Sequence, residues 1–181
     1  AKRGLKISES KTKIVNIKNG FDFLSRHYCK IDGVIRCIPS DKAVKNFEKE
    51  VEELISDNKD NWSQNKLIQV LNAKISGFAT YHKCEESMEI FKHLDVVINA
   101  LLLKMMKQLY KNLTKDQLIK KYWKTDSFGR NVFAIPNNKD KCLKNMADTI
   151  LVTEYKIDTS KNVFLDRDYF EELQKNKEIQ N

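Results

Sequence analysis

The side chains that could act on a partner fall into three groups: histidine–cysteine pairs, carboxylates, and lysines mixed with aromatic rings. His27 and Cys29, and again His82 and Cys84, repeat a His-x-Cys pattern. Neither spacing matches a usual zinc arrangement, so no metal is expected on them. Two-metal phosphoryl transfer needs paired carboxylates around ions about 3.5–4 Å apart. The N-terminal segment offers only Glu9 and Asp22 ahead of its hairpin, with no adjacent pair on a turn. The third group is the richest. Lys104, Lys107, Lys111, Lys120, Lys121, Lys124 and Arg130 surround Tyr110, Tyr122 and Trp123. Lysines neutralise phosphates while exposed rings stack on unpaired bases, so this stretch reads as a nucleic-acid surface. The competing reading makes Tyr122 and Trp123 core residues and the lysines a solvated face.

Charge points the same way. The 181 residues carry a net charge of +8, which asks for an acidic partner. Residues 1–38 hold nine Lys/Arg against three Asp/Glu, residues 39–62 four against seven, and residues 99–130 eight against two. Two basic stretches are therefore separated by an acidic one. No apolar run is long enough to cross a bilayer, and the start lacks the layout of a signal peptide. Four cysteines without a disulfide framework make a reducing cytoplasm the expected compartment.

The elements that must position these groups can be read in outline. Phe21–Ile31 and Val34–Ile38 are β-prone runs around Asp32-Gly33, a hairpin signal that sets Cys29 opposite Arg36 and Tyr28 opposite Cys37. Cys29 and Cys37 then point to opposite faces, which argues against a disulfide. Residues 4–17 read as a turn leading into another strand. Ser40 is placed to cap a helix whose Val44, Phe47, Val51, Leu54 and Ile55 share a face. A second helix from Ser63 to about Lys83 turns Leu67, Val70, Leu71, Lys74, Phe78 and Tyr81 to one side. Gly77 inside it suggests close approach of a neighbouring backbone. A third helix from Ser87 carries a seam of Phe91, Leu94, Ile98, Leu101, Met105 and Leu109, with Lys104, Lys107 and Lys111 on another face. Thr114 and Gln117 form a capping-box pattern opening a short helix through Trp123. Ser127–Phe133 reads as a turn and strand, 136–140 as a polar loop, 141–157 as helix then strand, and 165–177 as a terminal helix. The fold class expected is α+β and mainly helical: an N-terminal β-hairpin, a helical bundle, and a small mixed C-terminal part.

Several segments resemble the group II intron reverse transcriptases. Gly4–Ile14 is similar to the GL-x-L-x-x-x-K-T-x-I segment after their catalytic strand, and Phe21-Asp-Phe-Leu24 to the F-x-FLG strand that opens the primer-grip hairpin. Leu71-Asn-Ala-Lys-Ile-Ser-Gly-Phe-Ala-Thr-Tyr-His82 resembles the LN-x-x-x-x-GW-x-NYH signature of the maturase domain, also called domain X. Phe91-x-x-Leu94-Asp95 fits the F-x-x-LD that follows it, and Asn162–Phe170 the close of that domain. Ser25 stands where the family has glycine, Phe78 and Thr80 where it has Trp and Asn, and Val163 where it has proline.

The resemblance implies that residues 1–38 are the end of a palm with its primer-grip hairpin, and residues 39–181 a thumb and domain X. It adds Lys11, Lys13, Arg26, Tyr81 and His82 to the lysine-rich set as contacts to RNA or template–primer, with Lys11 near the phosphates of an incoming nucleotide. The partners implied are group II intron RNA and, with the full enzyme, an RNA–DNA template–primer. The family's Y-x-DD carboxylates are absent from this sequence. Magnesium would thus belong to the palm, no cofactor is expected on this chain, and it should not polymerise DNA alone. Three other readings stay open: a module that docks onto a separate palm and fingers polypeptide, an inactive intron remnant, and a reverse transcriptase serving a retron or CRISPR system.

Overall fold

The computed structural model describes residues 8, 13–31, 34–152, 161–162 and 164–179. Lys11 and the Asp32-Gly33 turn lie outside the described residues. The fold is α+β and mainly helical as expected, with two three-stranded antiparallel sheets among the described residues. Residues 1–151 form one compact unit and 152–181 a second.

The first sheet is a meander of β1 (Phe21–Phe23), β2 (Arg26–Ile31) and β3 (Val34–Pro39). Its register sets Tyr28 opposite Cys37 and Cys29 opposite Arg36, as the sequence required. One reversal was not foreseen. Leu24 and Ser25, at φ +48° and +65°, turn the chain between Phe23 and Arg26, so the expected single strand is two. Two consecutive residues at positive φ form a turn that favours Asn or Gly, and Leu-Ser hides it. Of the 4–17 segment expected as a turn leading into a strand, residues 4–7 and 9–12 lie outside the described residues; 13–16 are not strand, and Ile17–Asn19 is a 3-10 turn, with the Asn16 side chain accepting from the Lys18 N–H at 2.9 Å. Gly20 follows at φ +72°, where a Cβ would collide with the His27 ring.

Helix α1 (Asp41–Asn58) is capped by Ser40, whose Oγ accepts from the Ala43 N–H at 3.2 Å. It buries Phe47, Val51 and Ile55. Helix α2 (Gln64–Tyr81) buries Leu67, Ile68, Leu71, Ile75 and Ala79 rather than the expected arc through Val70, Lys74 and Tyr81. Apolar residues occupy much of its circumference, so periodicity alone does not choose the arc. Gly77 is not crowded: among the described residues nothing outside its own helix backbone lies within 4 Å of where its Cβ would be. Helix α3 (Met88–Leu109) buries Phe91, Leu94, Ile98, Leu102, Met105 and Met106. The expected seam ran onto Leu101 and Leu109 because it used a 3.5-residue step. A straight helix at 3.6 drifts to Leu102 and Met106 instead.

Helix α4 (Lys115–Tyr122) has both bonds of the expected capping box between Thr114 and Gln117. Trp123 does not belong to it but opens β4 (Trp123–Thr125), which pairs with β5 (Asn131–Ile135). The expected polar loop at 136–140 contains the start of β6 (Asn138–Cys142), an edge strand whose side chains are mostly exposed and therefore show no apolar alternation. Among the described residues up to 152 no α-helix follows it where one was expected, and residues 153–157 of that span lie outside the described residues; Met146–Asp148 is a 3-10 turn.

Polar side chains join this second sheet to the bundle. Asn72 on α2 donates to the Cys142 carbonyl at 3.0 Å and accepts from the Lys144 N–H at 2.7 Å. Asp95 on α3 accepts from the N–H groups of Met146 and Ala147 at 2.7 and 3.0 Å, while burial pushes its carboxyl above the usual range. Asn99 accepts from the Trp123 indole at 3.0 Å. Asn72 and Asp95 lie within the segments quoted as motifs, and their work here is architectural.

In the second unit, α5 (Arg167–Ile179) follows a turn in which Asn162 accepts from the Phe164 N–H and Asp166 from the Asn162 N–H. Among the described residues no helix is long and apolar enough to cross a membrane.

Two substitutions test this frame in urea melts. Asp95→Ala strands two amides and should cost about 1–3 kcal/mol. Gly77→Ala, in open space within a helix, should stabilise by up to about 1 kcal/mol.

Candidate nucleic-acid interface

The lysine-rich set separates into cations that are engaged and cations that are not. Lys104 and Lys107 lie on α3, while Lys111 lies beyond its end at Leu109, in the turn to α4. The three nevertheless line one surface groove with Ala100, Leu103 and Gln108. Lys104 reaches Glu52 of α1 at 3.4 Å, an exposed pair of small energetic weight. No ion pair to Lys107, Lys111, Lys120, Lys121 or Lys124 is found among the described residues. Lys120 and Lys121 sit in the last turn of α4, where they also oppose the negative end of the helix.

The aromatic members sort differently. Trp123 is 6% exposed and packs edge-on against Phe133, so it contributes to the core. Tyr122 is buried too, but Tyr110 stacks on it at 5.2 Å and is 37% exposed, with the Lys121 ammonium 5.3 Å from the Tyr122 ring. A partly open ring beside cations is therefore present, and it is Tyr110.

Arg130 is held by two carboxylates. It lies 2.7 Å from both Asp126 and Asp148, while Asp126 also accepts from the N–H groups of Phe128 and Arg130. These bonds keep the Asp126 carboxyl below the usual range and fasten the β4–β5 turn. Lys124 lines a second groove of about 430 Å³ between α2 and the second sheet, with Ser76, Thr80, Lys144 and Asn145. Lys144 bonds Ser76 at 3.3 Å. Sequence reasoning missed this juxtaposition because its members come from α2 and from the chain after β6, and no local pattern links them.

The N-terminal set converges on the end of α2. Lys13 is exposed and lies apart from any described element. Arg26 donates to the Tyr81 carbonyl and sits over the Tyr81 ring at 5.0 Å, with Nη1 3.7 Å from the Cys37 thiol. The Tyr81 hydroxyl donates to the Leu24 carbonyl at 2.7 Å. The Cys84 thiol donates to the Cys37 carbonyl at 2.7 Å and Arg36 meets Glu86 at 3.4 Å, so the sheet is stitched to the α2–α3 connector. His82 is 2% exposed and packs against Phe78 at 4.4 Å, with Nδ1 lacking a hydrogen-bond partner. Burial, with the Arg26 guanidinium, pushes its imidazole down to about 4. His82 is thus a neutral core residue at the end of α2. Among the described residues no group of three His, Cys, Asp or Glu is arranged to hold a metal ion.

Residues 44–123 match the family model of the group II intron, maturase-specific domain. A domain of this kind implies a part in group II intron splicing. The match runs from Val44, inside α1, through α4 to the first residue of β4. No curated protein matches the chain.

His82 makes stability depend on pH. The unfolded imidazole takes a proton near 6.5 and the folded one only near 4. Stability should be level above pH 6.5 and fall as pH drops between these values, at up to about 1.4 kcal/mol per unit. His82→Gln should flatten that slope when urea midpoints are compared at pH 7 and pH 5.

Proposed function

We propose that this chain is the RNA-binding maturase and thumb portion of a group II intron-encoded RNA-directed DNA polymerase. The observation that carries the reading is the groove at the end of α3. Lys104, Lys107 and Lys111 line it, and the helix that supplies two of them lies inside the segment matching the maturase-specific domain. In this reading the lysines take phosphates of structured intron RNA and release counterions, which supplies affinity but little sequence discrimination. The Lys120–Lys121 pair, with Tyr110 beside it, extends the surface across the α3–α4 turn. The RNA carries out splicing itself; the protein favours its active fold by binding that fold more tightly than others.

The finer assignments belong to the same proposal. Residues 1–38 are the end of a palm, and the hairpin joined to α2 through Arg26 and Tyr81 lies against template–primer in the complete polymerase. Lys11 and Lys13 would serve the same duplex. Magnesium would be held by carboxylates of the palm, and this chain by itself does not make DNA. The buried Trp123 and the doubly paired Arg130 act through the stability of the domain rather than by touching RNA.

The test is binding to a group II intron RNA at two salt concentrations with tRNA as competitor. Tight binding that resists tRNA and weakens with salt supports the reading; affinity no better than for tRNA overturns specificity in this chain. A Lys107→Ala, Lys111→Ala, Lys120→Ala triple variant should bind at least about tenfold more weakly. It should lower the salt slope by roughly 0.7–0.9 for each phosphate that is no longer neutralised, with an unchanged melting temperature.

A further inference from the structure

The first sheet has two unlike faces. Partnered residues on neighbouring strands share a face, and side chains alternate along each strand. Asp22 and His27 therefore lie on one face, paired at 2.7 Å, and Arg36 reaches Glu86 from that face. Phe21, Phe23, Arg26, Tyr28 and Lys30 lie on the other. That second face carries no carboxylate among the described residues. Its aromatics are open: Phe21 is 38% and Phe23 58% exposed, and Phe21 stacks on Tyr28 at 5.6 Å. Arg26 leans over the ring of Tyr81, which is 47% exposed and so continues the aromatic surface at one end. Lys30 is exposed towards the other end.

Large exposed rings are costly to leave in water, and a cluster of them marks a surface meant to be covered. The charge on this face selects the cover. Cations interleaved with rings, without an acid among them, suit an anionic polymer that also presents flat apolar surfaces. Unpaired nucleotides have that combination, whereas duplex buries its base faces in its own stack. Residues two apart on a strand stand about 7 Å from each other, enough for splayed bases to meet Phe21 and Phe23 separately.

We propose that this face of the first sheet binds an unpaired stretch of RNA by stacking its bases on Phe21, Phe23 and Tyr81, with Arg26 and Lys30 supplying the positive field. The proposal rests on the nucleic-acid reading above and deepens the hairpin's part in it: this face meets an unpaired stretch of RNA beside the template–primer duplex, not the duplex itself, and it is separate from the lysine groove of α3.

The experiment compares the whole chain with Phe23→Leu and with a Phe21→Leu, Phe23→Leu pair. Leucine keeps apolar bulk at exposed positions and removes the ring. Three probes are used: a 12-nucleotide unstructured RNA carrying 2-aminopurine, a blunt RNA duplex of the same length, and the intron RNA. The wild-type chain should quench the 2-aminopurine, and the pair should bind the unstructured RNA about tenfold more weakly with an unchanged salt slope. Duplex binding should be unaltered, and melting temperatures should confirm that the variants fold. Unaltered affinity for the unstructured RNA, or equal losses on both short probes, overturns the stacking proposal while leaving the lysine groove intact. If the wild-type chain binds none of the three probes, the nucleic-acid reading itself fails, and the exposed rings are then a protein-docking surface.

Discussion

The buried stripe of α3 is the element on which the rest of the molecule is hung. Phe91, Leu94, Ile98, Leu102 and Met106 are shielded from water along its length, and α1, α2, α4 and the second sheet belong to the same core. Each such side chain, if left exposed, would forfeit about 1.5–3 kcal/mol, which is what holds the helices at fixed distances. The same helix offers polar groups beside the stripe. Asp95 captures two amides of the 146–148 turn and Asn99 the Trp123 indole, so the sheet cannot slide along the bundle without stranding buried donors. Asn72 repeats the device from α2.

A fixed frame gives the surface charges their meaning. Arg130 and Lys104 look in the bare sequence like the other cations, but carboxylates from Asp126, Asp148 and Glu52 are brought to them. Lys107, Lys111, Lys120 and Lys121 have no carboxylate paired with them among the described residues. All four lie within residues 44–123, the segment that matches the maturase-specific domain model. The hairpin sheet is joined to this frame by a handful of polar contacts at the end of α2, with buried His82 beneath them. Neutral imidazole there avoids placing a second cation beside Arg26.

Much of this was legible in the residues. Ser40, Ser63 and Thr114 announce three helix starts because their side chains satisfy free amides at short range. The β2–β3 register that the Asp32-Gly33 pair suggested is the one observed. The misses share a cause. The turn at Leu24-Ser25 uses residues that seldom take positive φ, so the chain gives no notice of it. Strands β4 and β6 are short and supported by distant side chains, so neither alternates visibly. Gly77 suggested a close neighbour, and none of the described residues supplies one.

What the sequence determined by itself, then, is whatever depends on residues within a few positions: helix identity and caps, hairpin register, and the excess of lysine after residue 99. Which arc of α2 and α3 is buried, which cations remain free, and that Asn72 and Asp95 serve as clamps were decided by tertiary structure. Those outcomes depend on groups separated by about 50 to 70 positions, such as Asp95 with Met146 and Asn72 with Cys142. Contacts of that range form only when the core has closed, because desolvation and partner geometry do not exist in the extended chain.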